Sequence, residues 1–176
     1  MSSDEIDMGF YCNSKALSMV KISDRFVIYG PVIMNSEVMV YKGNIEEKQV
    51  LGIALERGHI RGLIQNSYPN IKETKEMTPT ALPYTLENKQ IDIAAIDVTK
   101  AVLLPKYKFS AVYKDDYISY CLVVRKDLIS TEAFDDFLAD YNKAVEKLNK
   151  KETLISAFGM TREFWDMVNI KFLQLK

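Results

Sequence analysis

The chain has 176 residues and a mass of 20.2 kDa, with 48% hydrophobic and 27% charged residues. That is room for one ordinary domain or two small lobes with a real core, and it excludes a disordered chain. Twenty-three Lys and Arg against 24 Asp and Glu leave a formal charge of −1, so no basic field exists to neutralise phosphates and a nucleic-acid partner is excluded.

Glu5-Ile-Asp-Met-Gly-Phe-Tyr11 reads as a short strand, and Cys12-Asn13-Ser14 leads into an amphipathic turn or two over Lys15 to Val20, with Asn13 or Ser14 as N-cap. Arg25 to Tyr41 is rich in Val, Ile, Phe, Tyr and Met and is interrupted by Gly30-Pro31 and Asn35-Ser36, which predicts two extended segments with a bend. After the Lys42-Gly43-Asn44 turn the chain alternates. Gln49 to Leu55 is an apolar run of strand length, Ile60 to Tyr68 is an amphipathic helix, and Ile71 to Met77 is an edge-like strand. Thr78-Pro79-Thr80 starts a helix over Ala81 to Asn88; Gln90 to Ile96 is a second apolar strand ending at Asp97, with a helix from Val98 to Leu104 stopped by Pro105.

Tyr107 to Tyr113 and Tyr117 to Arg125 are the last strands. Ser130-Thr131-Glu132 caps a long helix whose Phe134, Phe137, Leu138, Tyr141, Val145 and Leu148 form one apolar stripe. A final helix is expected from Thr161 to Leu175, carrying Phe164, Trp165, Val168 and Phe172. Strands and helices in this order predict an α/β fold, a mainly parallel or mixed sheet flanked by helices with further helices at the C-terminal end. Ligands in such sheets sit beyond the carboxyl ends of strands, here the loops Glu56 to His59, Met77 to Thr80 and Asp97 to Thr99.

The motif search removes chemistry. Cys12 and Cys121 lie far apart in sequence without CxxC spacing and His59 is the only histidine, so a Cys/His zinc site and an HExxH protease are excluded. GxSxG, GxxxxGK[ST] and GxGxxG are absent. No cofactor and no metal are expected, and the pairs Asp115-Asp116 and Asp135-Asp136 read as solvated surface. The longest run without a charge, Phe26 to Ser36, has 11 residues, against the roughly 20 a membrane helix needs, so no transmembrane segment is expected. Ser-Ser-Asp-Glu after Met1 is not a signal-peptide start, and Gly-Phe-Tyr before Cys12 is not a lipobox. The expected location is cytoplasmic for the chain as written, and extracytoplasmic if it is an excerpt of an exported protein.

Four stretches resemble, in order, the type II periplasmic-binding-protein superfamily, in its nitrate/taurine/thiamin-precursor-like branch of ABC-transporter solute-binding proteins. They are Glu5-Ile-Asp-Met-Gly-Phe, Glu47 to Gly58, Leu86 to Asp97, and Tyr120 to Leu128 with the helix over Ser130 to Lys147. The resemblance implies a type II binding-protein fold that lacks the first part of lobe one, roughly eighty residues on the usual domain scale. It divides the chain into a partial lobe-one segment with hinge-like strands (1–41), a lobe-two α/β domain (42–125) and C-terminal helices packing back on the fold (126–176).

The expected function is non-catalytic binding of a small anionic or zwitterionic solute, with an ABC permease as the partner the resemblance implies. Arg57, Gly58 and His59, after a buried strand and at a helix start, suit a carboxylate or phosphate; alternatively Gly58 only turns the chain and Arg57 pairs with Glu56. Thr78 and Thr80 offer hydroxyls or merely cap, and Asp97 faces an amine or hydroxyl or serves as an N-cap. Tyr11, Asn13 and Ser14 are the corresponding loop of the lobe-one segment, and Tyr29, Tyr41, Tyr84 and Tyr113 are candidates to line an amphipathic pocket. Two other readings stand beside this one. The first is an enzyme on the same fold, resembling menaquinone- or thiamin-pathway enzymes, with His59 as base. The second is a cytoplasmic sensing or interaction module using Phe164, Trp165 and Phe172. Because strands paired in a complete lobe one would be left with open edges, a symmetric homodimer is expected.

Overall fold

The apolar runs become strands that divide between two sheets. The structure, a computed structural model, describes residues 6–176, so the leader reading at Met1 to Glu5 and the first residue of the Glu5 to Tyr11 run lie outside the described residues. One unit comprises the chain up to Met34, Tyr117–Leu154 and Ile170–Lys176; the other comprises Asn35–Asp116 and Ile155–Asn169. Each is therefore assembled from discontinuous segments, whereas the sequence reading takes three continuous stretches.

The first unit is built on strands β1 (Met8–Cys12), β2 (Phe26–Met34), β8 (Ile118–Arg125) and β9 (Lys171–Phe172), with helices α1 (Asn13–Ile22) and α5 (Glu132–Leu148). The sheet order is β1-β8-β2-β9 and every pairing is antiparallel. β2 runs straight through Gly30-Pro31, where a break is expected; the register against β8 shifts there instead, so a bulge absorbs the proline. Val32, Leu122, Val124, Phe134 and Leu175 form a core on the α5 side, and Ala16, Cys121 and Val123 one on the α1 side. Thr131 caps α5 by accepting from the Phe134 N–H, as its sequence position predicts. By contrast Cys12, not Asn13 or Ser14, holds the N-cap position of α1.

The second unit carries strands β3 (Glu37–Tyr41), β4 (Val50–Ala54), β5 (Glu73–Met77), β6 (Ile93–Asp97) and β7 (Lys108–Ala111) and helices α2 (Gly58–Ser67), α3 (Leu82–Glu87), α4 (Val98–Ala101) and α7 (Arg162–Val168); the chain passes between units within α6 (Lys151–Phe158). The order is β5-β4-β6-β3-β7, with β4 parallel to β5 and β6, and β3 antiparallel to β6 and β7. β3 is buried along its whole length, which explains a run apolar at nearly every position rather than at alternate ones. β5, the charged Glu-Thr-Lys-Glu strand, is an edge, where charge discourages pairing with another chain.

The expected final helix is shorter than predicted. α7 stops at Val168 because Asn169 takes a left-handed conformation (φ 52°), and Phe172 lies in β9 paired with β2 rather than on a helix face. Phe164 and Trp165 are buried, with the Trp165 indole donating to the Gly159 carbonyl at 3.0 Å, so these two rings belong to the core. The extended segments on which the expectation of a homodimer rests find their partners inside the chain: β1 and β2 on β8, and β3 at the interior of the second sheet.

Candidate functional site

Because β4, β5 and β6 are parallel, their carboxyl ends share one edge of the second unit's sheet. Ala54 stands beside Met77 in the register and Ile53 beside Ala95, while Glu37, the first residue of the antiparallel β3, stands opposite Asp97. The Leu55 N–H donates to the Met77 carbonyl at 2.9 Å, joining the first two loops. The sequence-predicted Arg57, Gly58, His59, Thr78, Thr80 and Asp97 are thus brought to one edge. Tyr11, Asn13 and Ser14 belong to the other unit, at the junction of β1 and α1, where Tyr11 packs near Ala16 and Cys121 and the Cys121 thiol lies 3.8 Å from the Asn13 side-chain oxygen.

Arg57 forms an ion pair through Nη1 with Glu37 Oε1. Glu37 is only 6% exposed and also accepts from the Ser36 hydroxyl at 3.0 Å; the Arg57 side chain is 14% exposed. Arg57 therefore pairs with a carboxylate twenty positions upstream, while its sequence neighbour Glu56 is exposed and left-handed (φ 64°). The sequence reading passes over Glu37. The one signal it left is a charged residue opening a strand that is otherwise Val-Met-Val-Tyr.

His59, in the first turn of α2, feels both members of this pair. Burial is the main influence and holds its pKa below the ordinary value; Glu37 pulls the other way and Arg57 adds to the lowering. The imidazole is neutral at pH 7. Asp97 caps α4, accepting from the Thr99 N–H at 3.0 Å and the Thr99 hydroxyl at 2.6 Å. Thr78 and Thr80 are exposed with hydroxyls 3.4 Å apart, and Ala81, not Thr78, holds the N-cap of α3. A Cβ at Gly58 would meet no atom within 4 Å, so the start of α2 faces open space.

The four tyrosines separate. Tyr29 donates to the Lys176 carbonyl at 2.6 Å, Tyr41 is buried against Ser110 at 2.8 Å, Tyr84 is exposed, and Tyr113 lines a cavity. Among the described residues no three His, Cys, Asp or Glu side chains converge into a metal-holding set, and no helix is long and apolar enough to cross a membrane.

Comparison with solved structures decides the fold. The methionine-binding protein MetQ superposes with a TM-score of 0.65 at 14% identity, over 100% of this chain and 81% of that one. The fold is that of the periplasmic binding proteins. The ligand-binding component of an ABC-type import system from Staphylococcus aureus, solved with zinc bound, gives 0.64 at 13% identity, over 97% of this chain and 68% of the other. The periplasmic aliphatic sulphonate binding protein SsuA from Escherichia coli gives 0.59 at 14% identity, over 96% and 69%. No family model and no curated protein matches the sequence. The binding-protein fold is carried here by strand order and connection rather than by sequence identity.

Proposed function

We propose that the protein is a non-catalytic solute-binding module that takes a small zwitterionic or anionic molecule at the carboxyl edge of the β4, β5 and β6 strands, through Arg57, Gly58, His59, Thr78, Thr80 and Asp97. The observation that carries this reading is the convergence of those three loops on one edge of a sheet with the binding-protein fold. Tyr11, Asn13 and Ser14 are proposed as ligand-touching residues of the first unit.

The Glu37–Arg57 pair favours the zwitterion. A simple anion at Arg57 competes with a nearly buried carboxylate for the same guanidinium, and drawing Arg57 away would leave a buried charge alone at a cost of roughly 3 to 5 kcal/mol. A molecule carrying both an ammonium and a carboxylate answers both partners. Work with an ABC permease, outside the cytoplasm, belongs to the same proposal, supported by neighbours that are named as lipoproteins and periplasmic binding proteins.

Thermal-shift screening against amino acids, organic acids, sulfonates and thiamin precursors tests it. At a hundredfold excess over Kd a ligand adds about 2.7 kcal/mol, a rise of several degrees in Tm, and at least one amino acid is expected to give it. Silence across the whole panel overturns the proposal. Turnover of a chorismate-like or vitamin-like compound, lost in His59→Ala, would replace it by the enzyme reading.

A further inference from the structure

The second unit holds a cavity of about 570 Å³ lined by Asn66, Ser67, Tyr68, Ala111, Tyr113 and Lys114, none of them a residue of the strand-end cluster. Its size falls within the roughly 300 to 1,000 Å³ of small-molecule sites. One wall is the C-terminal turn of α2 and the other is the end of β7 with the residues that follow it. Tyr68 ties the walls together, its hydroxyl donating to the Ala111 carbonyl at 2.7 Å. Burial raises the pKa of that phenol, so it keeps its proton and stays a donor.

The polar groups around this space differ from those at the strand ends. There, Glu37, Arg57, Ser36, Asp97 and Thr99 are engaged with one another. Around the cavity, the side chains of Asn66, Ser67, Tyr113 and Lys114 have no hydrogen-bond or ion-pair partner among the described residues. Four side chains of that kind on one lining, one of them the Tyr113 phenol, with the Tyr68 ring beside them, are the composition of a site that orients a ligand by a few polar contacts against an apolar body.

The charges at the two walls are opposite. α2 ends at Ser67, and the last carbonyls of a ten-residue helix carry partial negative charge, which favours an ammonium and disfavours a carboxylate there. Lys114 is the one charged side chain on the lining and offers an ammonium to an anion. Asp115 and Asp116 follow it but do not line the cavity, and Asp116 is held by Asn35 at 2.8 Å. We infer that this cavity is a second ligand site, taking a small zwitterion with an aromatic or bulky apolar body: its ammonium at the C-terminal end of α2, its carboxylate at Lys114 and its body against Tyr68 and Tyr113.

Calorimetric titration of the full chain with three probes tests this: L-phenylalanine, 3-phenylpropionate, which lacks the ammonium, and phenethylamine, which lacks the carboxylate. Phenylalanine is expected to bind saturably and each of the others at least tenfold more weakly. Lys114→Gln is expected to weaken phenylalanine at least tenfold, and Ser67→Trp, which fills the cavity from an exposed position, to abolish this binding with the circular-dichroism melt unchanged. Equal binding of all three probes, no saturable binding of phenylalanine, or phenylalanine binding that survives both substitutions overturns the inference. The last result leaves the strand-end proposal standing, since neither substitution touches that cluster; conversely, phenylalanine binding that is unchanged when Arg57 and His59 are altered, yet lost in Lys114→Gln and Ser67→Trp, supports the cavity alone.

Discussion

At the scale of single residues, the ion pair at the start of α2 changes what Arg57 does. A strand-end arginine read from sequence predicts that Arg57→Ala weakens an anionic ligand while leaving the melting temperature almost alone. With Glu37 buried against it, the same substitution strands a carboxylate, and we expect a loss of about 3 kcal/mol in urea unfolding, most of it recovered in the Glu37→Gln/Arg57→Ala double variant. Equal stability of wild type and Arg57→Ala would return the residue to the ligand.

His59 makes the stability pH-dependent in a definite direction. Its folded-state pKa lies below the unfolded value near 6.5, so the folded form refuses a proton that the unfolded chain accepts. The contribution is fully present above about pH 6.5 and is lost as the pH falls through the folded pKa. Melting curves from pH 7.5 to 5 are expected to fall more steeply for the wild type than for His59→Gln. Tyr141 behaves oppositely at the alkaline end: burial pushes its pKa up to about 12, so its contribution holds below pH 10 and is lost above it. Its hydroxyl donates to the Leu173 carbonyl at 2.8 Å, and Tyr141→Phe is expected to cost about 1 kcal/mol in urea unfolding at pH 7.

At the scale of elements, β4 shows how close packing shapes the second unit. A Cβ on Gly52 would press on the end of the Ile91 side chain and come within 2.9 Å of a Leu82 methyl, so both buried side chains would have to shift to admit one. Gly52→Ala is expected to cost roughly 1 to 3 kcal/mol by overpacking, seen as a lower urea midpoint with an unchanged slope. The elements best legible in the sequence were those with strong periodicity and an ordinary cap, such as α5 behind Thr131. Those misplaced at their ends were decided by contacts from distant segments. Pairing with β8 carries β2 through Gly30-Pro31, and a left-handed Asn169 releases Phe172 to pair with β2.

At the scale of the whole molecule, β2 and β3 lie inside their sheets and β1 pairs on β8 along one side, so most of the strand edges that a homodimer would otherwise have to cover are paired within one chain. Light scattering at micromolar concentration is expected to read a mass near 20 kDa, and a mass of twice that would restore the homodimer. The α/β class and the three loops at the strand ends were open to reading in the sequence, because hydrophobic period and strand-to-helix order are local properties and parallel strands place their carboxyl ends together.

Which loop residue meets which partner was not open in this way. Glu37 opens β3 and Arg57 follows β4 at the N-cap of α2, twenty positions apart; the order β4-β6-β3 brings them together, and no local pattern encodes that order. The cavity depends on the same step, since Asn66 and Lys114 are 48 positions apart and line one space only after α2 and β7 are packed on their sheet. The sequence by itself determined which segments bury and with what period; the tertiary structure decided which charges meet, because long-range pairing chooses among partners that local chemistry leaves equivalent.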